Sequence, residues 1–163
     1  MSSDKLSKIR LVAFDIDGVF TDGRFYLSDD GVETKAFSTL DGYGIRLLLG
    51  AGKEVAIISG RKSRAVELRM QELGVSHVFL GCKDKMAVFD SLSDQLGISP
   101  EESAYVGDDI PDLPLLTKVG YSIAVRNAVQ AVQEYCDYTT RAKGGRGAVR
   151  EVCELILSAR ETE

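Results

Sequence analysis

The chain alternates between short apolar runs and longer segments with helical periodicity. The apolar runs are too short for helices, which predicts strands at Ile9–Ile16, 54–59 (EVAIIS), 77–81 (HVFLG), 103–107 (SAYVG) and 120–125 (GYSIAV), with a further short strand at 137–140 (DYTT). The segments between them predict helices at Leu40–Ala51 (entered through Thr39 or Asp41), Ser63–Leu73 (stopped by Gly74), Asp84–Leu96 (ending at Gly97), Asp112–Lys118, Val129–Tyr135 and Ala148–Ala159. Continuous apolar strands that alternate with amphipathic helices are typical of a parallel sheet covered on both faces. The predicted fold class is therefore α/β, with a doubly wound parallel sheet.

One segment interrupts this alternation directly after the first strand. Residues 24–37 (RFYLSDDGVETKAF) form two short extended runs on either side of Asp30-Gly31, a strong signal for a β-hairpin. A two-stranded hairpin is marginally stable in water by itself. We therefore expect this segment, called the flap below, to lean on another surface.

Composition narrows the class of protein. A chain of 163 residues is the size of one domain, so we expect a single domain over residues 1–163. The net charge of −5 argues against nucleic acid or an anionic membrane as the main partner, and no apolar run suggests export or a membrane span. The three cysteines (Cys82, Cys136 and Cys153) lack metal-ligand spacing and favour a reducing, cytoplasmic location. The sequence shows no partner residue for the single histidine, His77, and we expect this residue to have a structural role.

Polar residues suited to catalysis follow the carboxyl ends of four predicted strands. In chain order these are Asp15 and Asp17, then Ser59, Gly60 and Arg61, then Lys85, and finally Asp108, Asp109 and Asp112. Taken singly, each has an ordinary alternative as a turn, a helix cap or a solvated helix residue. The carboxyl ends of parallel strands converge on one edge, where ligands bind. The four sets together therefore predict one site at that edge.

The residue types at this edge suit phosphoryl transfer. Asp15, Asp108 and, as a further candidate, Asp112 offer the hard oxygen ligands that Mg²⁺ prefers. Gly18 lets the chain turn, which would present the Asp17 backbone carbonyl to the metal and its carboxylate to a leaving group. A carboxylate can attack phosphorus to form an aspartyl phosphate. Ser59 and Lys85 would then hold the phosphoryl oxygens, which is most of what such a reaction demands.

These motifs resemble the four-motif signature of the haloacid dehalogenase superfamily. The matching residues are Asp15-x-Asp17-Gly18-Val19-x-Thr21, Ser59, Lys85 and Gly107-Asp108-Asp109-x-x-Asp112, without a departure in the core motifs. The stretches FDIDGVFTDG, DGYGIR, ISGRKS, AYVGDDIPDLP and GGRGAVREVCELIL narrow the resemblance, over almost the full chain, to the 3-deoxy-D-manno-octulosonate 8-phosphate (KDO 8-phosphate) phosphatase family.

The resemblance implies a role for each motif residue. Asp15 would be the nucleophile, and Asp17 the general acid and then the general base. Asp108 would bind Mg²⁺ with Asp15 and the Asp17 carbonyl, while Asp109 and Asp112 would support the metal site. Ser59 and Lys85 would hold the phosphoryl group, with the family spacing selecting Lys85 over Lys83.

The site also needs a means of excluding water. The hairpin and one helix use up the chain between Asp17 and Ser59, so there is no room for an inserted cap domain. The resemblance implies a homotetramer in which neighbouring subunits complete the active site, with the flap leaning on a neighbour. Phe25 and Tyr26 are candidate interface residues, with simple exposure as the alternative.

Basic residues near the C-terminus are candidates for binding an anionic sugar acid. Arg141, Lys143 and Arg146 lie in a glycine-rich tail, expected to be flexible over about 141–163. Arginine suits bidentate contacts with a carboxylate. Gly60 and Arg61 are further candidates for substrate contact. The alternatives are a solvated loop for the tail and a helix-start position for Arg61.

Two other functions remain open from the sequence. A related phosphatase could act on a nine-carbon keto-sugar acid 9-phosphate, since the sequence does not measure pocket depth. The chain could instead be a non-catalytic oligomerisation module like those appended to some cytidylyltransferases, although the intact aspartate and lysine motifs argue against it. If KDO 8-phosphate is the substrate, the resemblance implies a place in lipopolysaccharide synthesis.

Overall fold

The strand that precedes the aspartate motif lies inside the sheet, with a strand on each side. This strand, β1 (Leu11–Phe14), is buried at every residue, as a continuous apolar run predicts for a parallel sheet with both faces covered. The structure is a computed structural model and describes residues 2–159. Its other strands are β2 (Tyr26–Leu27), β3 (Glu33–Thr34), β4 (Glu54–Ile58), β5 (His77–Phe79), β6 (Ser103–Gly107), β7 (Tyr121–Ala124) and β8 (Tyr138–Thr139).

Helices cover both faces of this sheet. They are α1 (Ser2–Ser7), α2 (Thr39–Gly50), α3 (Arg64–Leu73), α4 (Lys85–Leu96), α5 (Leu113–Lys118), α6 (Gln130–Tyr135) and α7 (Ala148–Ser158), with 3₁₀ turns at Pro100–Glu102 and Ile110–Asp112. Apart from α1, each of these helices was predicted. The predicted α/β class is confirmed.

The strand order brings the predicted site residues to one edge. The six-stranded sheet has the order β5-β4-β1-β6-β7-β8, and every neighbouring pair in it is parallel. Phe14 at the end of β1 pairs with Ile57 on one side and Val106 on the other. The residues that follow these three positions therefore emerge side by side at the carboxyl edge of the sheet.

Capping side chains fix the starts of three helices. Ser63 and Asp84 accept hydrogen bonds from the backbone N–H groups of Val66 and Ala87, so α3 and α4 each begin one residue later than predicted. The predicted start of α2 is wrong, because the capping residue is Ser38, whose side chain accepts from the Leu40 N–H. Thr39 and Asp41 lie inside the helix.

The flap forms the predicted antiparallel hairpin. Tyr26 pairs with Thr34, and a turn closes the hairpin through the Gly31 N–H, which donates to the Ser28 carbonyl. Tyr26 and Leu27 in the outer part are strongly exposed, while Lys35 at the base is buried. The base of the flap therefore leans on its own chain.

The C-terminal segment differs from the flexible tail that the sequence suggested. Gly145 donates a backbone hydrogen bond to the Val19 carbonyl, and Gly144 is buried against the turn that follows β1. Helix α7 then buries Val149, Val152, Cys153 and Ile156 against the core. Packing thus orders residues 144–158, and residues 160–163 of the predicted tail lie outside the described residues.

Two further expectations concern single residues. The prediction that nothing pairs with His77 is wrong, because its Nε2 lies 3.0 Å from the Glu54 carboxylate on the adjacent strand. The cysteines Cys82, Cys136 and Cys153 are free thiols, with Cys153 buried and the others half-buried. No helix within residues 2–159 combines the length and the apolar character needed to cross a bilayer.

Candidate active site

A cleft at the carboxyl edge of the sheet collects most of the predicted catalytic residues. It has a volume of about 250 Å³ and is lined by Asp15, Asp17, Ser59, Gly60, Arg61, Lys85, Asp108, Asp109 and Pro111. A larger cleft of about 510 Å³ lies beside α3 and β5, and it contains none of the predicted site residues. We assign the candidate site to the smaller cleft, because its lining chemistry, rather than its size, matches the predicted reaction.

Lys85 lies between two carboxylates at the floor of the cleft. Its Nζ is 2.8 Å from Asp112 Oδ1 and 3.4 Å from Asp15 Oδ2. Burial by itself would lower the pKa of Lys85, but the charges of Asp15 and Asp112 outweigh it and raise that pKa. Lys85 is therefore held as a cation beside the proposed nucleophile.

Asp112 is fully engaged by the protein. Its Oδ1 accepts hydrogen bonds from the Tyr105 hydroxyl at 2.7 Å and from Lys85, while its Oδ2 accepts from the backbone N–H groups of Asp108 at 3.0 Å and Asp109 at 3.3 Å. Burial, together with the negative charge of Asp112, raises the pKa of Tyr105 well above its usual value, so the phenol remains a proton donor. With both oxygens occupied, Asp112 is placed to support the site rather than to bind a metal directly.

The Asp108 carboxylate lies very close to Gly18 in the turn after β1. Gly18 has a φ of 82°, and a Cβ added there would lie 2.0 Å from Asp108 Oδ2. Only glycine combines this backbone conformation with the space that the carboxylate needs. The aspartate-glycine step of the motif thus brings the loop after β1 against the loop after β6.

The three carboxylates at this edge form a candidate metal centre. One oxygen from each of Asp15, Asp108 and Asp112 lies within 4.8 Å of the others. Burial, followed by repulsion from Asp112, raises the pKa of Asp15 to about 6. Burial, followed by repulsion from Asp15, raises the pKa of Asp108 to about 8. A cation bound between Asp15 and Asp108 would relieve this repulsion, so the donor set fits a hard divalent ion.

Asp17 is paired with a residue that sequence reasoning missed. Lys35, at the base of the flap, donates from its Nζ to Asp17 Oδ1 in a close ion pair, and Arg61 Nε lies 3.9 Å from Asp17 Oδ2. The available signal was the spacing of Glu33 and Lys35, which puts both on the same side of an extended strand. Only the placement of the flap over the cleft shows what that side contacts.

The predicted substrate-binding residues are divided among different places. Arg61 lines the candidate catalytic cleft. Lys143 and Arg146 instead line a second cleft of about 270 Å³, together with Arg24, which the sequence analysis did not single out. Arg141 lines neither cleft and is exposed, and its backbone N–H donates to the Glu151 carboxylate.

Comparison with known proteins identifies the family. A model of the haloacid dehalogenase-like hydrolases matches residues 81–152. KdsC of Escherichia coli K12, named as a 3-deoxy-D-manno-octulosonate 8-phosphate phosphatase, is 49% identical over 162 residues, which is 98% of this chain and 86% of the relative.

Solved structures of related phosphatases are also similar to this chain. The phosphatase of the same name from Yersinia pestis has a TM-score of 0.95 at 45% identity, over 97% of this chain and 85% of that one. The Moraxella catarrhalis phosphatase, in complex with a magnesium ion, a phosphate ion and KDO, has a TM-score of 0.94 at 44% identity, over 97% of this chain and 91% of that one. The chain therefore belongs to the haloacid dehalogenase superfamily of hydrolases. Within it, the chain belongs to the KdsC family of phosphoric monoester hydrolases.

Proposed function

We propose that this protein hydrolyses KDO 8-phosphate to KDO and inorganic phosphate. The observation that carries the proposal is the convergence of Asp15, Ser59, Lys85 and Asp108 on one cleft of about 250 Å³. The substrate is supported by the names of relatives that are 44–49% identical over nearly the whole chain.

Mg²⁺ is the proposed cofactor. Asp15, Asp108 and the backbone carbonyl of Asp17 would hold it, with Asp109 and Asp112 supporting the site. Asp112 Oδ2 accepts hydrogen bonds from the backbone N–H groups of Asp108 and Asp109. The ion would neutralise negative charge on the transferring phosphoryl group. The geometry supports this assignment, because one oxygen from each of Asp15, Asp108 and Asp112 lies within 4.8 Å of the others.

The proposed chemistry takes place in two steps. In the first, an Asp15 carboxylate oxygen forms a bond to phosphorus, the bond between phosphorus and the sugar oxygen breaks, and Asp17 gives a proton to that oxygen. In the second, a water oxygen bonds to phosphorus, the aspartyl phosphate bond breaks, and Asp17 receives a proton from the water. Ser59 and Lys85 would hold the phosphoryl oxygens in both steps.

Charge also supports an acidic sugar as the rest of the substrate. Arg61, beside Gly60, lies in the catalytic cleft, while Lys143 and Arg146 lie in the neighbouring one. Arg61 is the stronger candidate for contact with the sugar acid. Arg141 is the weakest, since it lines neither cleft.

The assembly and the cellular role are also proposals. We infer a homotetramer, supported by the exposed outer part of the flap, where Tyr26, Leu27 and Val32 are 73%, 66% and 61% exposed. Exposed apolar groups of this kind favour contact with another protein surface. We place the reaction in the cytoplasm, in the synthesis of the lipopolysaccharide inner core, with the single domain over 1–163 acting without a cap.

Phosphate release with and without Mg²⁺ tests the proposal. The substrates compared would be KDO 8-phosphate, a nine-carbon keto-sugar acid 9-phosphate and a hexose phosphate. We expect metal-dependent release with a clear preference for the eight-carbon acid. Preference for the nine-carbon acid would keep the residue roles and change the substrate. Absence of release from all three would favour a non-catalytic oligomerisation module.

A further inference from the structure

Lys35 occupies an unusual position for a lysine. Of the lysines and arginines within residues 2–159, only Lys35 falls among the buried residues, and its side chain is 0% exposed. Its Nζ pairs with Asp17, whose side chain remains 26% exposed to the cleft. Burying an ammonium is costly unless a counter-charge compensates it. The fold thus places a buried cation against the proposed acid and base.

The flap fixes Lys35 from its other side. Glu33 lies 4.0 Å from Lys35 Nζ, and the Phe25 ring centre lies 5.6 Å from it. The same ring is 4.3 Å from the Arg61 guanidinium, which also pairs with Glu33. Each carboxylate oxygen of Asp17 therefore faces a cation held in place by the flap.

The cleft that Asp17 lines also contains the proposed metal ligands Asp15 and Asp108. Asp17 follows Asp15 by two residues and lines the same cleft as Asp108. An aspartate at this position could turn toward a cation bound by Asp15 and Asp108 and become a further ligand. A carboxylate that binds the metal in this way is removed from the leaving group.

We propose that Lys35 is a positioning residue that holds the Asp17 carboxylate in place for proton exchange with the leaving alcohol and keeps it from joining the metal ligands. The inference rests on the proposed function, because it assumes that Asp17 is the acid and base. Lys35 keeps its own protons throughout. Asp17 enters the first step protonated on Oδ2 while Lys35 donates to Oδ1. The proton on Oδ2 passes to the sugar oxygen as the phosphorus–oxygen bond breaks, and Oδ2 regains one from the attacking water.

The test compares two leaving groups in the variant Lys35→Met, which keeps most of the stem and removes the charge. Single-turnover cleavage with enzyme in excess is measured for KDO 8-phosphate and for 4-nitrophenyl phosphate. A sugar alkoxide needs a proton to leave, whereas nitrophenolate is a stable anion. We expect Lys35→Met to slow cleavage of the sugar phosphate about 100-fold, the size of a general-acid contribution. Cleavage of the aryl phosphate is expected to change by less than about threefold, since it needs no such contribution.

A matched control is Lys53→Met. Lys53 is half-buried away from the cleft, and its Nζ donates to the Ile9 carbonyl at 2.8 Å, so both rates should match the wild type. If Lys35→Met does not fold, Lys35→Gln takes its place with the same expected ratio. Lys35→Arg, which keeps a cation on the flap, should recover at least part of the sugar phosphate rate.

The outcomes separate this inference from the proposed function. Equal slowing of both substrates, or normal cleavage of the sugar phosphate, would show that Lys35 only stabilises the flap. A wild-type protein that cleaves neither ester would contradict the proposed function itself. A wild-type protein that cleaves both, with the rate ratio unchanged in Lys35→Met, would overturn the role of Lys35 alone.

Discussion

Gly144 approaches Gly18 so closely that a Cβ on Gly144 would lie 1.8 Å from the Gly18 carbonyl oxygen. The same carbonyl accepts a hydrogen bond from the Asn127 side chain at 3.0 Å, and Asn127 in turn accepts from the Gly144 N–H at 2.7 Å. The segment before α7 is thus built against the turn that carries Asp17. The glycine-rich motif near the C-terminus therefore has a packing role at the candidate site.

Gly144→Ala is expected to destabilise the protein and reduce activity. The added methyl group would meet backbone, which cannot rotate away, so overpacking should cost about 1–3 kcal/mol or more. Displacement of the turn would also shift Asp17. Thermal unfolding and phosphate release measure the two effects. The control is Gly50→Ala, where an added Cβ meets nothing within 4 Å at the end of a helix. An alanine at position 144 with wild-type melting temperature would contradict the close packing.

Asp15→Asn should abolish turnover while leaving the fold intact. The substitution keeps the size of the side chain, and the amide oxygen can still accept from the Ile16 N–H, now 2.8 Å from Asp15 Oδ1. It removes the negative charge and the carboxylate oxygen that we propose as the nucleophile. Phosphate release measures the loss, and circular dichroism tests the fold. Activity near that of the wild type in Mg²⁺ would show that Asp15 is not the nucleophile.

Metal removal is expected to destabilise the protein more at pH 8 than at pH 6. In the folded chain the pKa values of Asp15 and Asp108 rise from 3.8 to about 6 and about 8. Protonation of these groups therefore favours folding at low pH, and this contribution is lost as pH rises from about 4 to about 8. Between pH 6 and pH 8 Asp108 loses its proton, so the free energy of unfolding should fall in EDTA.

Bound Mg²⁺ should offset this loss, because it takes the place of the protons. Melting temperatures in EDTA and in excess Mg²⁺ at both pH values provide the measurement. The increase caused by Mg²⁺ should be larger at pH 8, and it should shrink in Asp108→Asn. An equal increase at the two pH values would show that Asp108 does not couple metal and proton binding.

The class of fold and the edge that holds the site could be predicted from the sequence. The alternation of apolar runs such as Leu11–Phe14 with amphipathic segments determines a parallel sheet, and such a sheet has one carboxyl edge. The register of the strands then brings together the residues that follow three paired positions, Phe14, Ile57 and Val106. These relationships depend on local patterns that are continuous in the chain.

The contacts made by the flap and the glycine-rich segment could not be predicted in the same way. Lys35 meets Asp17 only because a hairpin folds over the sheet edge, and Gly144 meets Gly18 only because the last helix packs beside α2. Both contacts join segments far apart in sequence through tertiary packing. His77 is a smaller example, since its partner Glu54 becomes visible only once β4 and β5 are paired.

Asp112→Asn is expected to reduce activity by about 10–100-fold, the usual effect of removing a group that orients metal ligands. One carboxylate holds Lys85 and Tyr105 with its first oxygen and the backbone N–H groups of Asp108 and Asp109 with its second. An amide has one acceptor oxygen, so one of these two sets must lose its partner. Turnover and the Mg²⁺ concentration for half-maximal activity are both measured. Asp94→Asn, on the exposed side of α4, serves as the control and should change neither. If Asp112→Asn retained wild-type turnover and Mg²⁺ dependence, the hydrogen bonds of Asp112 would be structural and would not orient the metal site.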